Sequence, residues 1–463
     1  MIPTEHPRSG SRPKKSWVAL LAGGCVLLGC LLGLGAARAD TRPSYVGAGA
    51  CSASNCHGSV VPRRDSRLSL QNEYITWYKQ DRHAKAYSAL SEERALKIAR
   101  RLGMVAGGEA SSWLDGAAHP ERCLDCHALD VPAAERGPRF DVRDGVSCEA
   151  CHGPAGGWID RHTEAGWTPE RSIALGMVDT RDPARAAESC LSCHLGSATK
   201  RVDHELIAAG HPALAFELDT FAASLPAHWT EHEGNGGWFR AGPWLVGQAV
   251  ALREAARHLP RQGRGAGWPD FAAYECSACH HELGPESGWR QDRGGVPGRP
   301  PWEESRYAVL SDLARTVAPD LAGPLDAAVG RLDRLTREGR GGPELSGAAE
   351  ALVTVADQLV VRARGTELDG EGVARVMRAV VSDGHRLAYA GFGTAQQLAW
   401  GLDSLAVARE SLSGAAPPAT RAVAGGDPLR AAIGRLFDQL TDRGRYDPAR
   451  FARDVRDVAG KLP

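Results

Sequence analysis

Apolar positions along the 463-residue chain fall into three regimes. Trp17 to Ala37 is a single uncharged run. Residues 41–300 show few long apolar periodic stretches. One exception opens at Pro243, where Leu245, Ala249, Leu252, Ala256 and Leu259 recur at steps of four and three before Pro260, placed to stop a helix. A second helix is predicted over Trp77–Leu90. Gly284–Pro301, rich in Gly, Pro and Arg, reads as a linker. Beyond it the pattern turns helical throughout. Leu325, Val329, Leu332 and Leu335 mark one amphipathic helix; Leu345, Leu352, Val355, Leu359 and Val360 mark a second. Thr394-Ala395-Gln396-Gln397 reads as a capping box opening a third, with Leu398, Leu402, Leu405 and Leu412 on its inner face. Val373–Ala388 makes a fourth, and further helices follow Pro428 and Pro448. The fold class predicted is mainly α: a segment over 40–300 with little regular sheet, then a C-terminal helical bundle over 301–463.

The apolar run at 17–37 changes the picture because Arg8, Arg12, Lys14 and Lys15 precede it and Ala37-Arg38-Ala39 follows it. Residues 1–39 therefore read as a signal peptide or an N-terminal membrane anchor. Leu28-Gly29-Cys30 hints at a lipoprotein site, but the apolar run continues past Cys30. In each case the rest of the chain is exported, to the periplasm or beyond, with residues 17–37 as the anchor if retained. The whole chain carries 55 basic and 56 acidic residues. Without residues 1–39 the count becomes 50 against 55, a net charge of −5, which argues against a nucleic-acid partner.

Ten cysteines remain outside the export segment, and all ten fall in pairs followed by histidine. Cys51 and Cys56 precede His57; Cys123 and Cys126 precede His127; Cys148 and Cys151 precede His152; Cys190 and Cys193 precede His194; Cys276 and Cys279 precede His280. Four are C-x-x-C-H, and the first is widened to C-x4-C-H. This is the attachment pattern of c-type haem: two thiols form thioethers to the porphyrin vinyl groups and the adjacent His becomes the proximal iron ligand. Only the last Cys-His step fixes the ligand, so a wider first loop is tolerable. Zinc sites, disulfides or thioredoxin-like pairs would not require His directly after the second Cys. Five covalent haem c groups are expected and no disulfide.

Histidine supplies the other side of each iron. Met is scarce here, with only Met104 and Met177 in the region, whereas ten further His follow residue 40. Bis-His, low-potential haems are the expectation. His83 lies on the predicted Trp77–Leu90 helix. His162 follows the Gly153–Gly157 loop. His204 and His211 stand seven residues apart, on one face if helical. His281 directly follows a proximal ligand and would serve an adjacent haem. These five are the expected distal ligands. His119, His228 and His232 rank below them, and His258 and His385 last.

The runs Tyr45–Cys51, Trp77 with His83-Ala84, Gly145–Pro154 and Ala209-Gly210-His211-Pro212 resemble multihaem cytochromes of the cytochrome c-554 type, a group related to hydroxylamine oxidoreductase and octahaem tetrathionate reductase. The resemblance covers roughly residues 45–285. It implies closely stacked, mostly bis-His haems in a periplasmic electron-transfer role, and it supports His83 and His162 as distal ligands. The widened first motif and the number of motifs depart from the four- and eight-haem members. No motif replaces the proximal His by Lys, as some catalytic relatives do. The function expected is therefore an electron carrier between membrane and soluble redox partners, a quinol dehydrogenase or a periplasmic oxidoreductase. The alternative is an oxidoreductase with one five-coordinate haem acting on a small nitrogen or sulfur compound. No catalytic residue is assigned.

Overall fold

The computed structural model describes residues 44–63, 69–105, 113–229, 241–262, 270–281, 300–413 and 427–462. The export segment, His232 and nearly all of the Gly284–Pro301 linker lie outside the described residues. Among the described residues the fold is mainly α: helices with isolated β-bridges, Tyr45–Arg136 and Tyr274–Trp302, and no strand. Pro43–Pro463 form one compact unit. Among the described residues no helix is long and apolar enough to cross a membrane.

The motif-bearing part consists of short helices: α1 (Glu73–Gln80), α2 (Ala86–Ala89), α3 (Glu93–Arg101), α4 (Glu121–His127), α5 (Cys148–His152), α6 (Pro169–Ala174), α7 (Pro183–His194), α8 (His204–Ala209) and α9 (Leu218–Ser224). Such helices are too short to stand without tertiary support. Their own apolar cluster is small: Leu90, Leu96, Ala99, Met104 and Trp113. The predicted Trp77–Leu90 helix is broken. Asp81 is extended (φ −82°, ψ 130°), and its carboxylate caps a 3-10 turn over Arg82–Lys85 by accepting from His83 N. Asp competes for the backbone in this way wherever a cap is available.

The long helices follow: α10 (Ala241–Gln262), α11 (Ala308–Val317), α12 (Pro319–Arg337), α13 (Gly342–Arg364), α14 (Gly370–Ser382), α15 (Gly384–Ala390), α16 (Phe392–Leu412), α17 (Pro428–Asp438) and α18 (Pro448–Ala459). The stripe Leu245, Ala249, Leu252, Ala256 and Leu259 on α10 is buried as the periodicity requires, but the helix runs past Pro260 to Gln262. Its principal neighbour is α13, and α7 packs beside it. One core thus extends from Ala184 and Leu191 on α7 to Val455 and Val458 on α18.

Three further expectations are corrected. Helix α16 begins at Phe392, so Thr394 lies inside its first turn rather than capping it; its hydroxyl is buried without a partner. Leu412 is exposed, whereas Leu398, Leu402 and Leu405 are fully buried. The single helix over Val373–Ala388 is two, parted at Asp383, because α15 must turn to meet α18. A Cβ on Gly384 would stand 2.3 Å from Val455 Cγ1, so only glycine permits that approach. Pro428 and Pro448 open their helices as expected, each behind an Asp cap, Asp427 and Asp447.

Candidate haem-binding site

Three motifs end a helix. Cys123 and Cys126 occupy α4, Cys148 and Cys151 occupy α5, and Cys190 and Cys193 occupy the last turns of α7, with His127, His152 and His194 as the final helical residues. The fifth motif forms a 3-10 turn at Cys276–Ala278, closed by His280 N donating to Cys276 O at 2.8 Å. The widened first motif makes the same closure. His57 N donates to Cys51 O at 3.2 Å, and Gly58 N turns back to Ala53 O at 3.0 Å, so the two extra residues are looped out. The first Cys and the His therefore keep a standard relation despite the insertion. None of the ten cysteines is joined to another by a disulfide.

The thiols of different motifs meet. The thiol of Cys51 lies close enough to that of Cys148 for each to shift the other's titration, and Cys126 and Cys193 stand in the same relation. Cys151 lies near enough to Cys190 and Cys193 for their charges to be felt. The neighbouring Cys126 thiol holds Cys193 down to about 5 against its burial, helped by Lys200, whose Nζ stands 3.3 Å from Cys193 Sγ. In space the motifs thus run first, third, fourth, second. Helix α8 brings in the fifth, through the histidines at its two ends.

Four histidine pairs face one another. His57 and His162 have ring centres 6.3 Å apart and nearly parallel planes (12°); His204 and His280 stand 6.2 Å apart at 28°. His83 and His194 stand 6.2 Å apart at 88°, and His127 and His211 6.4 Å apart at 86°. An imidazole–metal bond of about 2 Å on each side puts facing nitrogens roughly 4 Å apart and ring centres about 6 Å apart. Each pair joins one proximal histidine of a Cys-His motif to one distal candidate. His204 and His211 do not share a face: Gly210 ends α8 in the left-handed region (φ 116°), so each histidine serves a different motif. His281 belongs to none of the four pairs.

Second partners orient the rings. His57 Nδ1 lies 2.9 Å from Glu73 Oε2, and His83 Nδ1 lies 2.9 Å from Asp81 Oδ1. His127 Nδ1 contacts Ala86 O at 2.9 Å, His211 Nδ1 contacts Pro212 O at 2.8 Å, and His162 Nδ1 contacts Ile159 O. Carbonyl and carboxylate oxygens only accept, so each of these five rings carries its proton on Nδ1 and leaves Nε2 for a metal. The hydrogen bond to Glu73 raises His57, and that to Asp81 raises His83. Burial pushes His152 and His194 down to about 4, which keeps both imidazoles neutral at neutral pH, the ligating form.

His152 differs from the other four proximal histidines. Its Nδ1 is buried without a hydrogen-bond partner, and among the described residues no histidine ring faces it at the spacing of the four pairs. Of the others, His119 is exposed on Glu121 and His385 stacks on Tyr389, while His228, which bonds Pro226 O beside Trp229, lies near enough to His152 and Asp81 for its charge to act on both.

Sequence reasoning missed Glu73, Asp81, Lys200 and Glu149. The carboxylate of Glu149, inside the third motif, accepts from Val46 N (3.0 Å), Gly47 N (2.8 Å) and Ala155 N (2.8 Å). It thereby ties the third motif to the segment leading into the first. An Asp two residues before a distal histidine was a visible signal for Asp81. Glu73, sixteen residues from His57, offered none.

Among the described residues no cluster of three or more His, Cys, Asp or Glu side chains could hold a bare metal ion. Ligands set in opposed pairs beside paired thiols suit a flat metal-bearing ring instead, and the class this defines is the c-type cytochromes. Residues 50–153, which span the first three motifs, match the family model described as cytochrome c554 and c-prime. Over that stretch the chain is similar to the c554-like c-type cytochromes, and the match supports covalently bound haem c and electron transfer. No curated protein and no solved structure matches it.

Proposed function

We propose that the protein is a periplasmic pentahaem cytochrome that passes electrons along closely packed haems between a membrane quinol dehydrogenase and a soluble oxidoreductase. Haem iron, when bound, supplies one-electron Fe(III)/Fe(II) chemistry. The observation that carries the reading is the set of four opposed histidine pairs. They support two axial ligands at four motifs: His57 with His162, His127 with His211, His194 with His83, and His280 with His204. Two axial ligands leave no position for a substrate, which favours a carrier over an enzyme. The neighbouring thiols of adjacent motifs support short steps between centres.

A haemochrome assay on the purified protein should give a haem-to-chain ratio of five, and magnetic circular dichroism should assign at least four low-spin bis-His centres. A ratio of four, or a majority of high-spin iron, would contradict the proposal. N-terminal sequencing of exported protein tests localisation: Asp40 as first residue means a cleaved signal, and an intact N-terminus means an anchor.

One observation favours the second reading, an oxidoreductase acting on a small nitrogen or sulfur compound. Among the described residues His152 is the proximal histidine that no ring faces at the spacing of the four pairs, with His228 near it but not opposed, so the third motif is the place to look for an open iron position. The measurement that separates the readings is the high-spin fraction. About one fifth, converted to low spin by cyanide or nitrite, supports the second. All-low-spin iron that ignores both ligands leaves the carrier alone.

A further inference from the structure

We infer that Glu73 and Asp81 are potential-setting residues, which hold the haems of the first and fourth motifs at lower midpoint potential than the haem of the second. The inference rests on the bis-His reading above and goes beyond it, because the pairs alone give all four centres the same two ligands.

The asymmetry lies one bond outward from the ligands. Glu73 is fixed at both oxygens: Oε2 accepts from His57 Nδ1 at 2.9 Å, while Oε1 accepts from Leu70 N at 2.5 Å and Gln71 N at 3.1 Å. Asp81 is nearly inaccessible, 5% exposed, and its Oδ1 accepts both the backbone N and the ring Nδ1 of His83, each at 2.9 Å. Both carboxylates are thus held by donors that favour the charged form. In the second motif both ligands donate to neutral backbone carbonyls instead, His127 to Ala86 O and His211 to Pro212 O.

A ligand N–H donated to a full negative charge makes the imidazole more basic than one donated to a carbonyl. A more basic imidazole gives more electron density to the iron and favours Fe(III) over Fe(II), which lowers the midpoint. A fixed anion near the iron acts in the same direction through space. Lys200 sits beside Cys126 and Cys193, so it is shared by the second and fourth motifs and does not separate them, and Arg122, felt by Cys123 of the second motif, is paired with Asp203 and Glu205. The first and fourth motifs each have one ligand bonded to a carboxylate, and the second has neither. The motifs whose thiols lie close, fourth and second, therefore differ in potential.

The test is a potentiometric titration of the full-length holoprotein, followed by low-temperature magnetic circular dichroism and electron paramagnetic resonance, for wild type, Glu73→Gln, Asp81→Asn and Asp81→Glu. Asp81→Asn should raise the midpoint of one low-spin haem and leave the others. Glu73→Gln should raise a different one, and Asp81→Glu should stay close to wild type. Unmoved midpoints with intact low-spin signals would overturn the inference while leaving the bis-His reading in place. High-spin iron in the wild type at the centres of His57 or His83 would instead overturn that reading. Should either carboxamide variant fail to load haem, His211→Ala decides the matter: it turns the second-motif haem high-spin, and the low-spin component it removes must be one that titrates above two others in the wild type. If that component titrates lowest, the inference is wrong.

Discussion

Glu149 shows how much one side chain can hold. Its three backbone donors come from two stretches of chain about a hundred residues apart, and the carboxylate is 3% exposed. Glu149→Ala leaves those N–H groups unmet in a closed site, at a cost of about 3 kcal/mol. Thermal unfolding of the holoprotein should show a markedly lower Tm for Glu149→Ala, with Glu149→Gln intermediate because one oxygen still accepts. Indifference to both changes would mean that the first and third motifs are joined by something else. The ten thiols and five proximal histidines were legible in sequence because covalent attachment fixes them by local spacing. Distal pairing was not, since it depends on where loops return. His204 and His211 look like one helical face until Gly210 is known to end the helix.

At the scale of elements, helix periodicity was legible and boundaries were not. The buried stripes of α10, α12 and α13 follow from leucine spacing, while the starts and breaks of α14, α15 and α16 were decided by packing that no local pattern records. Gly384 is one such decision. Gly384→Ala drives a methyl into Val455, and overpacking of this kind costs about 1–3 kcal/mol. Calorimetry should find Gly384→Ala destabilised and the double variant with Val455→Ala partly restored. Asp312 on α11 provides a pH test. Burial raises its carboxyl from 3.8 to about 6, with Asp383 adding to the rise and Arg315 opposing it. The folded chain therefore binds the extra proton between about pH 4 and 6. That contribution to stability is complete below about 4 and is lost as pH rises through 6. Relative to wild type, Asp312→Asn should gain stability from pH 4 to pH 7, on the order of 2 kcal/mol. A constant difference across that range would show that Asp312 does not titrate there.

Over the whole molecule, the helices after residue 300 are the other half of the core on which α7 and α10 rest. Trp244 is completely buried, and a Cβ on Gly401 of α16 would meet its Cζ2 at 2.6 Å. Arg253, 7% exposed, bonds Glu188 on α7 and Asp357 on α13. Gln397 on α16 donates to Phe216 O, beside the His194 ring, and accepts from Gln248 on α10. A chain ending at residue 300 would leave the α10 stripe open to water. It should be recovered aggregated or protease-sensitive, as pulse proteolysis would show; a soluble, haem-loaded product would mean that the first part folds alone.

Helix α8 has a consequence for which lengths of this chain can change. Six residues separate the histidine of one iron from that of another, and a single added residue would turn one ring by about 100° and shift it by about 1.5 Å relative to the other. The loop between Cys51 and Cys56 absorbs two extra residues with its closure intact. Insertions are thus silent within an attachment loop and disruptive between two ligands, so α8 behaves as a fixed ruler where the first motif has slack.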